Sequence, residues 1–341
     1  MISRRAFIVA AVAVAGMAAL LLGAQRVSAS SGRSAASIDD GIVDVSTNLA
    51  YQGASAAGTG MVLTSSGEVL TNNHVIRGAT TIRVTDPSTG RTYSATVLGY
   101  DLPADVAVLK LGNASGLQTV SLGDSSKVAV GDAVTALGNA GGVGGTPSSA
   151  TGTVTALGQS IVASDGGTSE RLTGLIGTNA GVQPGDSGGP LVDAAGQVIG
   201  MDTAGSAGFG FGFRSGGSTA YAIPINRALT IAKQIEAGHS LTAHIGATAF
   251  LGIEVAGDFP GGQTVSGAVV AGVVHASPAE RAGLGNGDVI IALNSRTIGS
   301  PTTLTALLQK QHPGSKVQIR WVDQSGVTHT AQVTLASGPP Q

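Results

Sequence analysis

Glycine stands at 53 of the 341 positions, scattered between short runs of Val, Thr, Ile and Leu. A chain that alternates this often between turn formers and β-branched residues favours many short strands joined by tight turns. The 12 prolines leave turn formers below the share that marks low complexity, and collagen's three-residue period is absent. From Asp39 onward the signal is β, with runs at 60–64, 68–71, 81–85, 91–98 and 106–111. A second set follows at 133–137, 151–157, 172–176, 197–201 and 219–223. Two such sets predict two small barrels or a sandwich. From Pro224 to Ala237 the period changes. Ile225, Ala228, Leu229, Ala232 and Ile235 share one helical face and Gly238 supplies the stop, which marks the end of a domain. A smaller α+β unit follows, with strands expected at 251–255, 268–274, 288–293, 316–321 and 328–335 and helices at 278–282 and 302–311.

The N-terminus speaks to compartment. Arg4 and Arg5 precede 6–24, which carry no charge, and Val27-Ser28-Ala29 offers a small-residue cleavage site. Residues 1–29 therefore read as a twin-arginine-like export signal, or as a membrane anchor through 6–24, with a flexible linker at 30–38. Both place the rest of the chain outside the cytoplasm.

Composition narrows the chemistry. Lys and Arg number 18 against 20 acids, so no basic stripe invites nucleic acid. The absence of cysteine removes disulfides, thiolate metal sites and a Cys nucleophile. His239 and His244 lie five apart without an H-E-x-x-H pattern, and His275, His312 and His329 are isolated, so neither metal nor cofactor is expected. The run Gly141-Gly142-Val143-Gly144-Gly145 lacks a following Gly-Lys-Ser/Thr and reads as a mobile loop near the active site.

The sharpest motif is Gly185-Asp186-Ser187-Gly188-Gly189-Pro190. A serine hydroxyl becomes a nucleophile when a base takes its proton and donors stabilise the oxyanion it creates. Flanking glycines let the backbone N–H groups of the Gly185, Asp186, Ser187 turn, those of Gly185 and Ser187 foremost, face one point. The base is expected at His74, which ends a strand in Leu70-Thr71-Asn72-Asn73-His74-Val75-Ile76. Its carboxylate is expected at Asp105, ahead of an apolar strand that carries it inward; Asp101, in a turn-like setting, is the rival. The order His, Asp, Ser is that of the chymotrypsin fold.

With these motifs the chain resembles the HtrA/DegP-type serine proteases. The matching stretches are Gly58 to Val62, Thr71 to Ile76, Asp105 to Lys110, Pro147 to Ile161, Pro184 to Leu191 and Ala222-Ile223-Pro224. Further on they are Phe250-Leu251-Gly252-Ile253, Ser277-Pro278-Ala279, Gly283-Leu284 and Gly287 to Ile290. The resemblance implies an all-β, chymotrypsin-like double barrel over 39–238, followed by an α+β PDZ domain over 243–337. It implies an exported endopeptidase acting on misfolded or unstructured proteins, with Phe250, Leu251, Gly252 and Ile253 as the loop that takes a peptide's terminal carboxylate. It also implies a homotrimer, for which Tyr51 is a candidate contact. The pocket for the residue before the scissile bond would be walled by 178–185, with Gly181 near its floor, and by 203–218, starting at Thr203, and would favour small apolar side chains. The residues of that second wall allow two readings: a loop mobile at rest that orders when Phe209, Phe211 and Phe213 dock to complete the pocket, or a flexible surface insertion. Two departures stand out: Asp186 replaces the family's usual Asn, and Asn179 its common Asp. The rival reading is a resting or non-catalytic chaperone or scaffold that uses only the PDZ groove.

Overall fold

The computed structural model describes residues 37–165, 168–205, 219–256 and 266–341. The export or anchor segment and most of its linker, with Phe209, Phe211 and Phe213, lie outside these residues. Among the described residues no helix is long and apolar enough to cross a membrane.

The first barrel is built from β1 (Ile42–Leu49), β2 (Ala54–Thr64), β3 (Glu68–Thr71), β4 (Thr81–Asp86), β5 (Arg91–Asp101) and β6 (Val106–Leu111). The order β5-β4-β1-β2-β3-β6 closes through β5–β6 pairing. Alternate residues point inward: Val43 and Val45 of β1, Val62 of β2, Val69 of β3 and Leu109 of β6 share one core. Between β3 and β4 a single helical turn, α1 (Asn73–Ile76), carries His74, where the sequence reading expected a strand end.

The second barrel closes as β10-β11-β12-β9-β8-β7. Its strands are β7 (Ala133–Gly138), β8 (Ser148–Asp165), β9 (Thr168–Thr178), β10 (Pro190–Asp193), β11 (Val198–Gly205) and β12 (Ala220–Pro224). Its interior is small and aliphatic, with Val134, Val154, Ile176, Leu191 and Ile199. A separate apolar cluster joins the two barrels: Met61, Leu70, Val106 and Val108 meet Leu137, Leu175, Met201 and Ile223. The helix α2 (Ile225–Glu236) seals this seam with Ile225, Ala228, Ile231, Ala232 and Ile235; the expected face lacked Ile231 and held Leu229, which is only partly buried at the edge.

After α2, β13 (His244–Ile245) pairs with Gly99 and Tyr100 of β5, so it extends the first barrel's sheet. The third unit starts at β14 (Thr248–Phe250), which pairs with β21 (Ala336–Gly338). Its main sheet runs β15-β16-β17-β19-β20, with β15 (Ile253–Val255) at one edge. The others are β16 (Ala268–Val273), β17 (Val289–Leu293), β19 (Lys316–Val322) and β20 (Thr328–Thr334); β18 (Arg296–Thr297) pairs with β17. Two helices, α3 (Pro278–Ala282) and α4 (Pro301–Leu308), each begin on a serine whose hydroxyl accepts an N–H of the first turn. Trp321, the chain's single tryptophan, lies buried in this unit with its ring stacked on His329.

Candidate active site

The first barrel supplies a histidine and an acid, and the second supplies a serine. Asp105 opens β6 with a left-handed φ of 54°, which swings its carboxylate towards α1. Its Oδ2 meets His74 Nδ1 at 2.8 Å, and its Oδ1 accepts the His74 backbone N–H at 3.0 Å. With Nδ1–H donated to the carboxylate, the basic nitrogen of the neutral imidazole is Nε2. Asn72 Nδ2 donates to the Asp105 carbonyl at 2.9 Å and holds the strained residue in place. Asp101 has other work. Its Oδ1 accepts the Ala104 N–H at 2.9 Å, and its Oδ2 accepts the Thr242 hydroxyl.

Ser187 sits in the turn ahead of β10. Thr203 links it to the other barrel: its hydroxyl donates to Asp105 Oδ2 at 2.5 Å, while its carbonyl accepts the Ser187 hydroxyl at 3.4 Å. Sequence reasoning placed Thr203 in a pocket wall and missed this link. Nothing local to Met201-Asp202-Thr203 signals it, because the contact arises from β11 crossing behind the nucleophile turn.

The turn itself leaves no room for side chains at its glycines. Gly185 has φ 100°, and a Cβ there would lie 2.1 Å from the Asn139 carbonyl oxygen. Gly188 has φ 88°, and a Cβ there would lie 2.1 Å from the Thr59 carbonyl oxygen. Thr59 clamps the turn, with its N–H on the Ser187 carbonyl at 2.8 Å and its hydroxyl on the Gly185 carbonyl at 2.7 Å. Among the described residues the N–H groups of Gly185 and Ser187 have no acceptor. The Asp186 N–H is spent on the Gln183 carbonyl at 3.0 Å, which removes it from the donor set.

The other expected positions fall as follows. Gly181 is exposed, and a Cβ there would meet only Ala150, at 3.9 Å. Asn179 Oδ1 accepts the Thr153 N–H at 2.7 Å and ties the approach to the nucleophile onto β8. The glycine run at 141–145, expected to be mobile, is fastened by four N–H groups. Gly141 reaches the Pro184 carbonyl, Gly142 the Asn139 carbonyl, Gly144 the Asn139 side chain and Gly145 the carboxylate of Asp44. Burial pushes the Asp44 carboxyl up, and the Gly145 N–H partly offsets it.

In the third unit Gly252 has φ 85° and packs against Ser277. The Leu251 carbonyl accepts the Ala279 N–H at 2.9 Å, and the Gly252 carbonyl accepts the Val274 N–H at 2.9 Å. The N–H groups of Leu251 and Gly252 have no acceptor among the described residues and stand beside the open edge of β15. Phe250 turns the other way and stacks on Tyr51 of the first barrel, with ring centroids 5.3 Å apart. Near His74, Asn73 Nδ2 donates to the Gln341 carbonyl at 3.1 Å, and the Gly78 N–H to the Pro340 carbonyl at 2.8 Å.

Two closed β-barrels with a histidine–acid pair linked through Thr203 to a serine turn, followed by a small sheet with an open edge strand, define a trypsin-like double barrel joined to a PDZ-like unit. Known proteins agree. Residues 58–201 match the family model of the trypsin-like peptidase domain, and 249–335 that of the PDZ domain. The chain is 32% identical over 326 residues to serine protease PepD of Mycobacterium tuberculosis, covering 88% of this chain and 65% of that protein. It is 35% identical over 289 residues to the periplasmic pH-dependent serine endoprotease DegQ of Escherichia coli, covering 82% of this chain and 59% of that protein. Among solved structures, the HtrA-type protease AlgW with tripeptide is 30% identical, covers 89% of this chain and 95% of that one, and superposes with a TM-score of 0.50. The chain belongs to the HtrA-type proteases with a C-terminal PDZ domain. It spans less than two thirds of the length of either curated relative.

Proposed function

We infer that the chain is a serine endopeptidase acting outside the cytoplasm on unfolded proteins, with the PDZ unit binding peptide C-termini. The observation that carries this reading is the chain of hydrogen bonds that runs from His74 through Asp105 and Thr203 to Ser187, beside two N–H groups that have no acceptor among the described residues. Ser187 Oγ attacks the scissile carbonyl as His74 Nε2 takes its proton. Asp105 holds the imidazole tautomer and stabilises the imidazolium, and His74 then returns the proton to the leaving amine. The Gly185 and Ser187 N–H groups receive the oxyanion. A peptide adds as a strand along β15 while its terminal carboxylate meets the Leu251 and Gly252 N–H groups. Export through residues 1–29, by cleaved signal or by anchor, and assembly into a homotrimer belong to the same proposal; Tyr51 remains 53% exposed despite its stacking on Phe250.

Casein incubated with the purified chain and with Ser187→Ala tests the reading. Cleavage by the first alone is expected. Cleavage by both would sink the assignment of Ser187, and cleavage by neither would favour the scaffold reading.

A further inference from the structure

Behind the nucleophile turn lies a carboxyl group that this mechanism leaves unused. Asp202 on β11 is fully buried, and neither of its carboxyl oxygens has a hydrogen-bond partner among the described residues. Its backbone is tied to the turn in both directions. The Gly188 N–H donates to the Asp202 carbonyl at 2.8 Å, and the Asp202 N–H to the Gly189 carbonyl at 2.8 Å. A second acid, Asp186, is buried inside the turn, but it has donors: Gln183 N–H to Oδ2 at 2.8 Å and the Ser148 hydroxyl to Oδ1 at 3.3 Å.

No described cation pairs with Asp202. On β12, Ala222 sits opposite it. On β10 the one acid, Asp193, is turned back onto the Ala195 and Gln197 N–H groups. On α2, Arg227 is spent on the Thr173 carbonyl, while Glu236 feels the charges of Lys233 and of Glu68 and Lys110 of the first barrel. The His74–Asp105 pair lies beyond Thr203, which donates its hydroxyl to it. Asp186 is left as the charged group that acts on Asp202.

We propose that Asp202 is a positioning residue that works as a neutral acid, its proton preserving the Gln183–Ser187 turn that presents the oxyanion donors. This rests on the endopeptidase reading. Of two neighbouring buried acids, the one with donors keeps the charge and the one without keeps the proton. Burial, and then the charge of Asp186, push the Asp202 carboxyl well above its ordinary value of 3.8. Burial also raises the Asp186 carboxyl, against the pull of Gln183 and Ser148. When Asp202 ionises, its charge is buried without a described donor and acts against the charge of Asp186. Relief comes from turning the Asp186 carboxylate away from the Gln183 N–H or from drawing water in. Either change loosens the turn that aims the Gly185 N–H.

The sign of the stability effect follows. The folded chain holds a proton that the unfolded chain releases, so this contribution is complete below the ordinary value. It is lost as pH rises through the elevated one. Asn has nearly the shape of Asp and no such proton to lose.

The test compares the full chain with Asp202→Asn across acid to alkaline pH, reading kcat/KM on a short peptide, the thermal midpoint and the infrared band of a protonated carboxyl. The unsubstituted chain should lose kcat/KM on the alkaline side by about a hundredfold, the scale of one lost oxyanion donor. Asp202→Asn should lack this alkaline loss, gain thermal midpoint relative to the parent as pH rises, and lose the band. Superimposable pH profiles, or a midpoint difference that does not vary with pH, overturn the proposal. If Asp202→Asn does not fold, the band decides in chains labelled with carboxyl-13C aspartate that carry Asp44→Asn or Asp186→Asn, the other two buried acids whose carboxyls are pushed up: a band at neutral pH that survives both substitutions supports the proton on Asp202, and its absence overturns it. A chain that cleaves nothing at any pH yet shows the band defeats the endopeptidase reading and leaves the proton assignment standing.

Discussion

Thr203 holds both barrels' contributions to the site with one hydroxyl and one carbonyl, so its substitutions separate geometry from charge. Thr203→Val keeps the shape and removes the donor to Asp105. A hydrogen bond to a charged group contributes about 1.5–3 kcal/mol. We expect kcat/KM to fall by about 10–150-fold, mostly in kcat, with Thr203→Ser restoring most of it. Equal activity in Thr203→Val and its parent would show the bond to be idle. His74→Ala should be about as damaging as Ser187→Ala, because such residues act as a unit; active-site titration beside peptide kinetics checks it. At this scale the sequence was most legible where a residue's neighbours announce its role. His74, Asp105 and Ser187 each stand in a distinctive local context. Thr203 and Asp202 do not, since their roles depend on what β11 passes behind, and no period within eight residues encodes that.

At the scale of single elements, the proposed peptide-binding edge should depend on one glycine. At Gly252 the left-handed backbone is combined with contact so close that a Cβ would lie 2.2 Å from that of Ser277. Gly252→Ala should therefore shift the loop that carries the free Leu251 and Gly252 N–H groups. Calorimetric binding of a peptide with a free C-terminus should weaken by tenfold or more, about 1.4 kcal/mol or above, while short-peptide hydrolysis continues. Undiminished peptide affinity would remove the loop from the binding site. The amphipathic helix α2 was readable because its apolar spacing matches its burial almost residue for residue. Strand β1 was not singled out, because its buried positions include polar Asp44 and Thr47, which blur the alternation of Val43 and Val45. His74 was expected at a strand end and lies in one turn of helix, too short a segment for any period to register.

Across the whole molecule, β13 lies past residue 243, where the PDZ domain was expected to begin, and pairs with β5 of the first barrel. A chain cut after 243 loses β13, the Tyr100–His244 ring contact and the hydrogen bond between the Tyr100 and Thr248 hydroxyls. A cut after 246 keeps the strand and the ring contact. We expect both to hydrolyse short peptides, with the shorter melting about 2–4 °C lower for each kcal/mol lost. Equal midpoints would show β13 to be a passenger. Because Trp321 lies in the PDZ unit, intrinsic fluorescence of the full chain will follow that unit's unfolding and stay largely blind to the barrels. The link from Thr203 to Asp105 has a consequence of a different kind, one of timing. It joins residues 98 apart in the chain, and the Thr59 clamp on Gly185 joins residues 126 apart. Such distant pairings form late. A chain emerging from its N-terminus presents His74 and Asp105 well before β11 exists to meet them. Until β11 is made and meets them the link to Ser187 cannot form, and the delay is set by the length of polypeptide between two barrels.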